Sequence, residues 1–158
     1  MDSRSLRQAL GRYTTGVTVI TCRAADGERV GLTANSFSSL SLDPPLVLWS
    51  LRTASPSLAA FQAAKSFAVN VLSEAQVEVS RRFASGLADK FIEGSWADGL
   101  NGEPVLAGCA AVIECTAFEQ REIGDHWLFV GRVERVNDAA VQPLVYQSGH
   151  YHLLGEIL

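Results

Sequence analysis

Runs of apolar, β-branched residues alternate along the chain with short polar stretches rich in Gly, Asp and Ser, and their spacing predicts its elements. Leu6, Ala9, Leu10 and Tyr13 share one helical face, so residues 3–13 are expected to form a short helix that Gly16 ends. Residues 17–22 (VTVITC) and 29–34 (RVGLTA) read as strands, with Asp26-Gly27 between them as a hairpin signal. Residues 46–51 (LVLWSL) and 67–72 (FAVNVL) read as further strands. A helix over 53–65 should open with Ser55 as N-cap and Pro56 at its first position, and another over 73–85 with Ser73-Glu74. Residues 89–102 read as a loop. Two long strands, 109–122 and 126–138, flank the turn at Ile123-Gly124-Asp125, and two short segments flank Ser148-Gly149. Six or seven strands, mostly turn-connected and without β-α-β alternation, predict an antiparallel, barrel-like β domain with helices outside. Trp49, Phe67, Phe118 and Phe129 fall inside strand runs and are expected in the core. Trp96, in the loop, is a candidate for lining a pocket or covering a subunit partner.

Composition removes several functional classes. At 158 residues the chain fits one domain, 1–158, and 47% hydrophobic with 19% charged residues is a globular balance. A net charge of −4 offers no basic field to nucleic acid or an anionic membrane. No stretch reaches the ~18 consecutive apolar residues of a membrane span, and residues 1–10 lack the apolar core of a signal peptide. The expectation is a cytoplasmic protein. Cys22, Cys109 and Cys115 form no C-x-x-C pair and are expected to be reduced, buried thiols, with no metal site. Neither a G-x-G-x-x-G nor a phosphate-loop motif is present, and no nucleophile motif supports a hydrolase.

Four places hold candidate chemistry. In GLTANSFSSLSLDPP (31–45), Thr33, Asn35, Ser36, Ser38 and Ser39 can donate hydrogen bonds to the edge of a flat heterocycle, or satisfy their own backbone as a polar loop. In SLRTASPS (50–57), Arg52, Ser55 and Ser57 stand at a strand end and a helix start. That is either a phosphate seat or simple capping. In RRFASGLADKF (81–91), Arg81, Arg82 and Lys90 lie near Phe83 and Phe91, and Lys90 can meet a phosphate or pair with Asp89. In GDHW (124–127), His126 can orient a ligand, move a proton or pair with Asp125. His150 and His152 share a strand face, but no third ligand accompanies them.

Taken in order, these pieces resemble the flavin reductase family with the FMN-binding split-barrel fold, which includes the reductase components of two-component flavin monooxygenases. The resemblance rests on LRQALGRYTTGVTVITC, GLTANSFSSLSLDPPLVLWSL, SPSL, FAVNVL, RRFA, DKF, GDHWLFVGRVERV and PLVYQSGHYHLL, and it covers nearly the whole chain. It implies an antiparallel Greek-key split β-barrel, a homodimer, and hydride transfer from NADH or NADPH to FMN or FAD. Reduced flavin would then diffuse to a partner monooxygenase. It further implies that Thr33, Ala34, Asn35 and Ser36 line the flavin ring and ribityl chain, and that Ser50, Leu51, Arg52, Ser55 and Ser57 continue towards the phosphate. Arg82, Phe83 and Lys90 would complete the phosphate side. His126 would face the nicotinamide or the flavin, with Tyr151 near the same pocket. Trp49 is bulkier than the family pattern leads one to expect and would alter the pocket. The chief alternative is a non-catalytic split-barrel carrier or sensor of flavin or haem; an oxidase of the pyridoxine-phosphate type would want more cationic groups than this chain has.

Overall fold

Asp2 starts the first helix by accepting the amides of Arg4 and Ser5, two donors that have no partner within the helix. The computed structural model describes residues 1–158, in which α1 is Ser3–Gly11. The strands and helices that follow are β1 (Thr15–Gly16), β2 (Thr18–Arg23), β3 (Arg29–Ala34), β4 (Ser38–Leu42), β5 (Pro45–Arg52), α2 (Leu58–Ala63) and β6 (Ser66–Val71). A 3-10 turn (Glu74–Gln76) leads into α3 (Val77–Phe83). The chain closes with β7 (Trp96–Asp98), β8 (Pro104–Leu106), β9 (Ala111–Ile123), β10 (His126–Asp138), β11 (Val145–Gln147) and β12 (His150–His152).

Seven strands form one antiparallel sheet in the order β3-β2-β6-β9-β10-β5-β4. The two edges, β3 and β4, are consecutive in the chain yet do not pair. The sheet is therefore a barrel with an open seam, closed only by residues 35–37. Two smaller sheets, β1-β11-β12 and β7-β8, cap it.

Alternation along β2 divides the interior. Ile20 and Cys22 face the main core with Val47, Trp49, Leu51, Phe61, Phe67 and Phe129. Val17 and Val19 face a second core with Leu72, Phe83, Leu106 and Leu144. Burial on both faces explains why β2 reads as a β-branched run without polar–apolar alternation, its Thr18 and Thr21 hydroxyls bonded to backbone carbonyls. All three cysteines are buried and free; burial pushes Cys22 and Cys115 up to about 12 and Cys109 to about 11, so they are inert thiols.

The structure corrects several sequence expectations. Residues 38–42 form an edge strand, because their backbone ladders onto β5. The first helix ends at Gly11, two residues short of Tyr13, and the apolar face expected of it is exposed, Leu10 at 64% and Tyr13 beyond the helix at 81%. Phe118 is also exposed, since β9 and β10 run past the barrel body. Trp49 points into the main core, stacked on Phe129 with ring centroids 4.9 Å apart, and so does not alter a pocket. Within the predicted loop, residues 96–98 pair with β8.

One buried polar cluster braces β9 against β10. Glu114 accepts from Arg135 Nη2 (2.9 Å) and from the Leu100 amide (2.6 Å), while Glu103 accepts from Ser66 Oγ and the Asn101 amide. Gly99 leaves room for both carboxylates, because a Cβ there would lie 3.0 Å from Glu103 Oε1 and closer still to Glu114 Oε1. Burial pushes the Glu114 carboxyl up, but its bonds with Arg135 and Leu100 outweigh this and hold it below the ordinary range. A carboxyl lowered in the folded state stabilises above its unfolded pKa of about 4.3, and that contribution is lost as pH falls through the folded value. Glu114→Gln is expected to cost about 1–3 kcal/mol at pH 7, the difference from wild type shrinking in acid, as followed by thermal melts.

Candidate active site

The seam holds a cleft of about 460 Å³. Its walls are residues 32–36 at the end of β3, 50–52 at the end of β5, the 55–57 turn, 83–85 after α3, Lys90, and His126 at the start of β10. Ser36 fixes the mouth: its hydroxyl donates to the Ser50 carbonyl (2.9 Å) and accepts from the Ser50 amide (3.0 Å), joining the two strand ends where no ladder does. Of the residues that the family resemblance assigns to the site, all line this cleft except Arg82 and Tyr151, whereas Ser38, Ser39, Arg81, His150 and His152, also candidates from the sequence, lie outside it.

Not every hydroxyl in the cleft is free for a ligand. Thr33 Oγ1 donates to the Ser80 carbonyl (2.7 Å), docking β3 on α3, and Ser36 is committed to Ser50. These residues offer backbone and apolar atoms instead. Asn35 is exposed at the mouth, and Ala34 beside it is buried. Ser55 Oγ accepts from the Ser57 amide at 3.2 Å. The helix expected from Ser55 begins only at Leu58, after a turn that closes from the Leu58 amide to the Ser55 carbonyl (3.2 Å). At six residues α2 contributes little dipole, so the 55–57 turn supplies hydroxyls rather than a helix end.

Phe83, buried, forms the floor, with Phe91 and Trp96 packed against it at 5.0 and 5.4 Å. Trp96 thus supports the floor from behind. Lys90 reaches over this floor. Its Nζ makes one long bond, 3.4 Å to the Phe83 carbonyl, and takes part in none of the ion pairs. Asp89, its sequence-suggested partner, instead accepts the Phe91 amide. Burial of this unpaired ammonium lowers its pKa from the ordinary value. A half-buried cation without an acid favours an incoming anion.

At the opposite end His126 stands across from Arg52 in the β5–β10 register. The Thr53 amide donates to the Asp125 carbonyl (2.9 Å), pinning this hairpin to the end of β5. His126 Nδ1 lies 2.7 Å from Asp125 Oδ1, a contact that holds the Asp125 carboxyl below its ordinary range. With Nδ1 engaged, Nε2 is the ring atom left for a ligand.

Arg82 turns away to pair with Glu93 (2.6 Å), which braces the segment carrying Lys90. Tyr151 has its hydroxyl 2.7 Å from Ser80 Oγ and its ring 5.4 Å from Tyr146, and it lines an adjoining small cavity of about 190 Å³ that shares Thr33, Asn35 and Ala84 with the cleft. Sequence reasoning passed over Leu32, Pro56, Ala84 and Ser85, which also line the cleft. Adjacency was the available signal, since each neighbours a residue already singled out. His150 bonds to the Ser148 carbonyl, and the structure contains no group of three or more His, Cys, Asp or Glu arranged to hold a metal.

The cleft thus gathers two cations, Arg52 and Lys90, the His126 imidazole and small polar groups, and the chain that builds it is similar to known proteins. The chain is 45% identical over 150 residues to the reductase subunit of stachydrine N-demethylase from Rhizobium meliloti, covering 95% of this chain and 65% of that protein. It is 43% identical over 151 residues to the FMN reductase (NADH) SmoA of Agrobacterium fabrum, covering 95% and 85%. It superposes with a TM-score of 0.92 and 35% identity on the NADH:FAD oxidoreductase of Streptomyces globisporus in complex with NAD and FAD fragments, covering 98% and 93% of the two chains. Against two further relatives the chain spans only 48% of their length. Residues 10–155 match the flavin reductase like domain, the barrel is of the split type, and the chain belongs to that family.

Proposed function

We propose that the cleft binds FMN or FAD and that the protein reduces it with a nicotinamide nucleotide, NADH by the relatives' example, to supply reduced flavin to a separate monooxygenase. The observation that carries this reading is the unpaired, half-buried Lys90 at one end of a cleft whose other end presents His126. Lys90 with the Ser55 and Ser57 hydroxyls suits a phosphate. Asn35 and the backbone of residues 33–36 suit the polar edge of the ring, over the Phe83 floor.

When bound, the flavin supplies the redox chemistry by accepting hydride from the nicotinamide. The chain's own contribution is placement. The Ser36–Ser50 clamp keeps the two walls at fixed separation, and the buried aromatic floor keeps water from beneath. Asp125 fixes the tautomer of His126, so that Nε2 can orient the nicotinamide. Arg82 and Tyr151 act indirectly, the first by bracing the Lys90 segment and the second by holding Ser80, on which Thr33 docks. His126→Ala is expected to raise the KM for the nucleotide several-fold while changing flavin affinity little; steady-state kinetics at fixed flavin check this.

Exposed apolar side chains on α1 and at Leu42 (95% exposed) support a homodimer, which light scattering tests. No helix is long and apolar enough to cross a membrane. The test of the activity is oxidation of NADH and NADPH by the protein under air with and without added FMN or FAD. Flavin-dependent oxidation supports the reductase. Flavin binding without any oxidation would identify a carrier instead.

A further inference from the structure

We propose that the flavin cleft continues past Lys90 into a second trough that receives the adenylate half of FAD, so that this protein selects FAD over FMN, with Arg29 as the residue that reads the second phosphate. The inference rests on the flavin reading above and assigns the size of the ligand.

Beyond Lys90 the surface opens into a trough of about 750 Å³, which shares Pro56, Ser57, Ser85 and Lys90 with the cleft. Both volumes fall within the usual range for small-ligand sites. One strand runs along both: Thr33 lines the cleft, while Gly31 and Arg29, two and four residues back, line the trough. A strand rises about 3.3 Å per residue, so Arg29 stands roughly 13 Å along β3 from Thr33. Gly31 makes the continuity possible. A Cβ there would come within 2.8 Å of the Phe83 ring and 3.2 Å of Phe91, the aromatic floor beside it. Residues 85–91 also line the trough, and among them the small Ser85, Gly86 and Ala88 leave room for a base and ribose.

Charge points the same way. Arg23 lines the trough but is committed to Asp98, the Gly102 carbonyl and the Gly27 carbonyl. Arg29 is exposed and joins none of the ion pairs. The trough therefore presents an unpaired guanidinium beyond the unpaired ammonium of Lys90, the order in which a pyrophosphate leaving the flavin phosphate would meet them. Asp89 faces the same space but caps the Phe91 amide, and Glu28 is an exposed acceptor suited to ribose hydroxyls. A nicotinamide nucleotide is the weaker occupant. Its ring must lie at the His126 end, whereas the trough departs from the Lys90 end.

Fluorescence titration of the full chain with FMN and with FAD tests the proposal, using wild type, Arg29→Gln and Ala88→Trp. FAD is expected to bind about tenfold or more tightly than FMN. Arg29→Gln should remove about tenfold of the FAD affinity while leaving FMN within about twofold, as loss of one charge-assisted contact predicts. Ala88→Trp, which fills the trough alone, should weaken FAD and spare FMN. The nucleotide KM should not respond to Arg29→Gln. Equal affinity for the two flavins, or equal weakening of both by Arg29→Gln, overturns the FAD assignment and leaves the flavin site standing. So does a rise confined to the nucleotide KM. Absence of binding by both flavins overturns this proposal and the flavin reading together.

Discussion

Lys90→Met is expected to weaken flavin binding by about 10- to 100-fold without lowering the melting temperature of the free protein. The two halves of this expectation have one cause. In the free protein the Lys90 ammonium is half-buried, touches only the Phe83 carbonyl at 3.4 Å, and has its pKa lowered by that burial. The charged form is therefore penalised by folding, and a methionine of similar length removes the penalty while keeping the packing. A bound phosphate reverses the balance by supplying the missing negative partner. Binding then favours protonated Lys90, so flavin affinity should fall as pH rises through its lowered range, and that alkaline loss should vanish in Lys90→Met. A structural lysine would behave otherwise: its substitution would lower stability and leave flavin titrations unchanged.

Trp49→Ala is expected to have the largest effect on stability, about 3–5 kcal/mol. The indole is fully buried on β5, stacked on Phe129 at 4.9 Å and met edge-on by Phe61 at 4.8 Å and Phe67 at 6.1 Å. Truncation leaves a cavity bordered by three rings held by three different elements, which cannot collapse together. Against a typical domain stability of about 5–15 kcal/mol, this lowers the melting temperature by on the order of 10 °C. Trp49→Phe should cost far less, because the buried Nε1 has no hydrogen-bond partner to lose. A shift of under about 3 °C for Trp49→Ala would show that β5 does not anchor the core. Since β5 also carries Ser50, Leu51 and Arg52 to the cleft, flavin affinity should fall along with stability.

How much of this was legible in the sequence follows from the range of the forces involved. Strands β2, β5, β6, β9 and β10 announced themselves because burial imposes continuous or alternating apolar runs over a few residues. β4 did not: its SSLSL run has the composition of a loop, and its strand character comes from the β5 backbone beside it. The α2 boundary was misplaced because the Ser55 hydroxyl and the 55–58 turn satisfy the groups that a helix start would use. Within the cleft, residues contributed in contiguous stretches, 33–36 and 50–57, were readable, since one segment carries several of them. Arg82 was not, because its partner Glu93 lies eleven positions on, and no local pattern says which arginine of the Arg81-Arg82 pair is taken up by that segment. Thr33 and Ser36 were read as ligand donors, yet the fold spends their hydroxyls on Ser80 and Ser50. Chemistry-bearing residue types were visible; their prior commitments were not.

The central claim is that this cleft transfers hydride from a nicotinamide nucleotide to flavin. Its most direct test is an anaerobic stopped-flow experiment in which the protein and FAD are mixed with NADH and the flavin's visible absorbance is followed. The structure predicts bleaching that is saturable in NADH, far faster than without protein, and slowed by both Lys90→Met and His126→Ala. Bleaching no faster than in protein-free solution, with FAD demonstrably bound, would contradict the account.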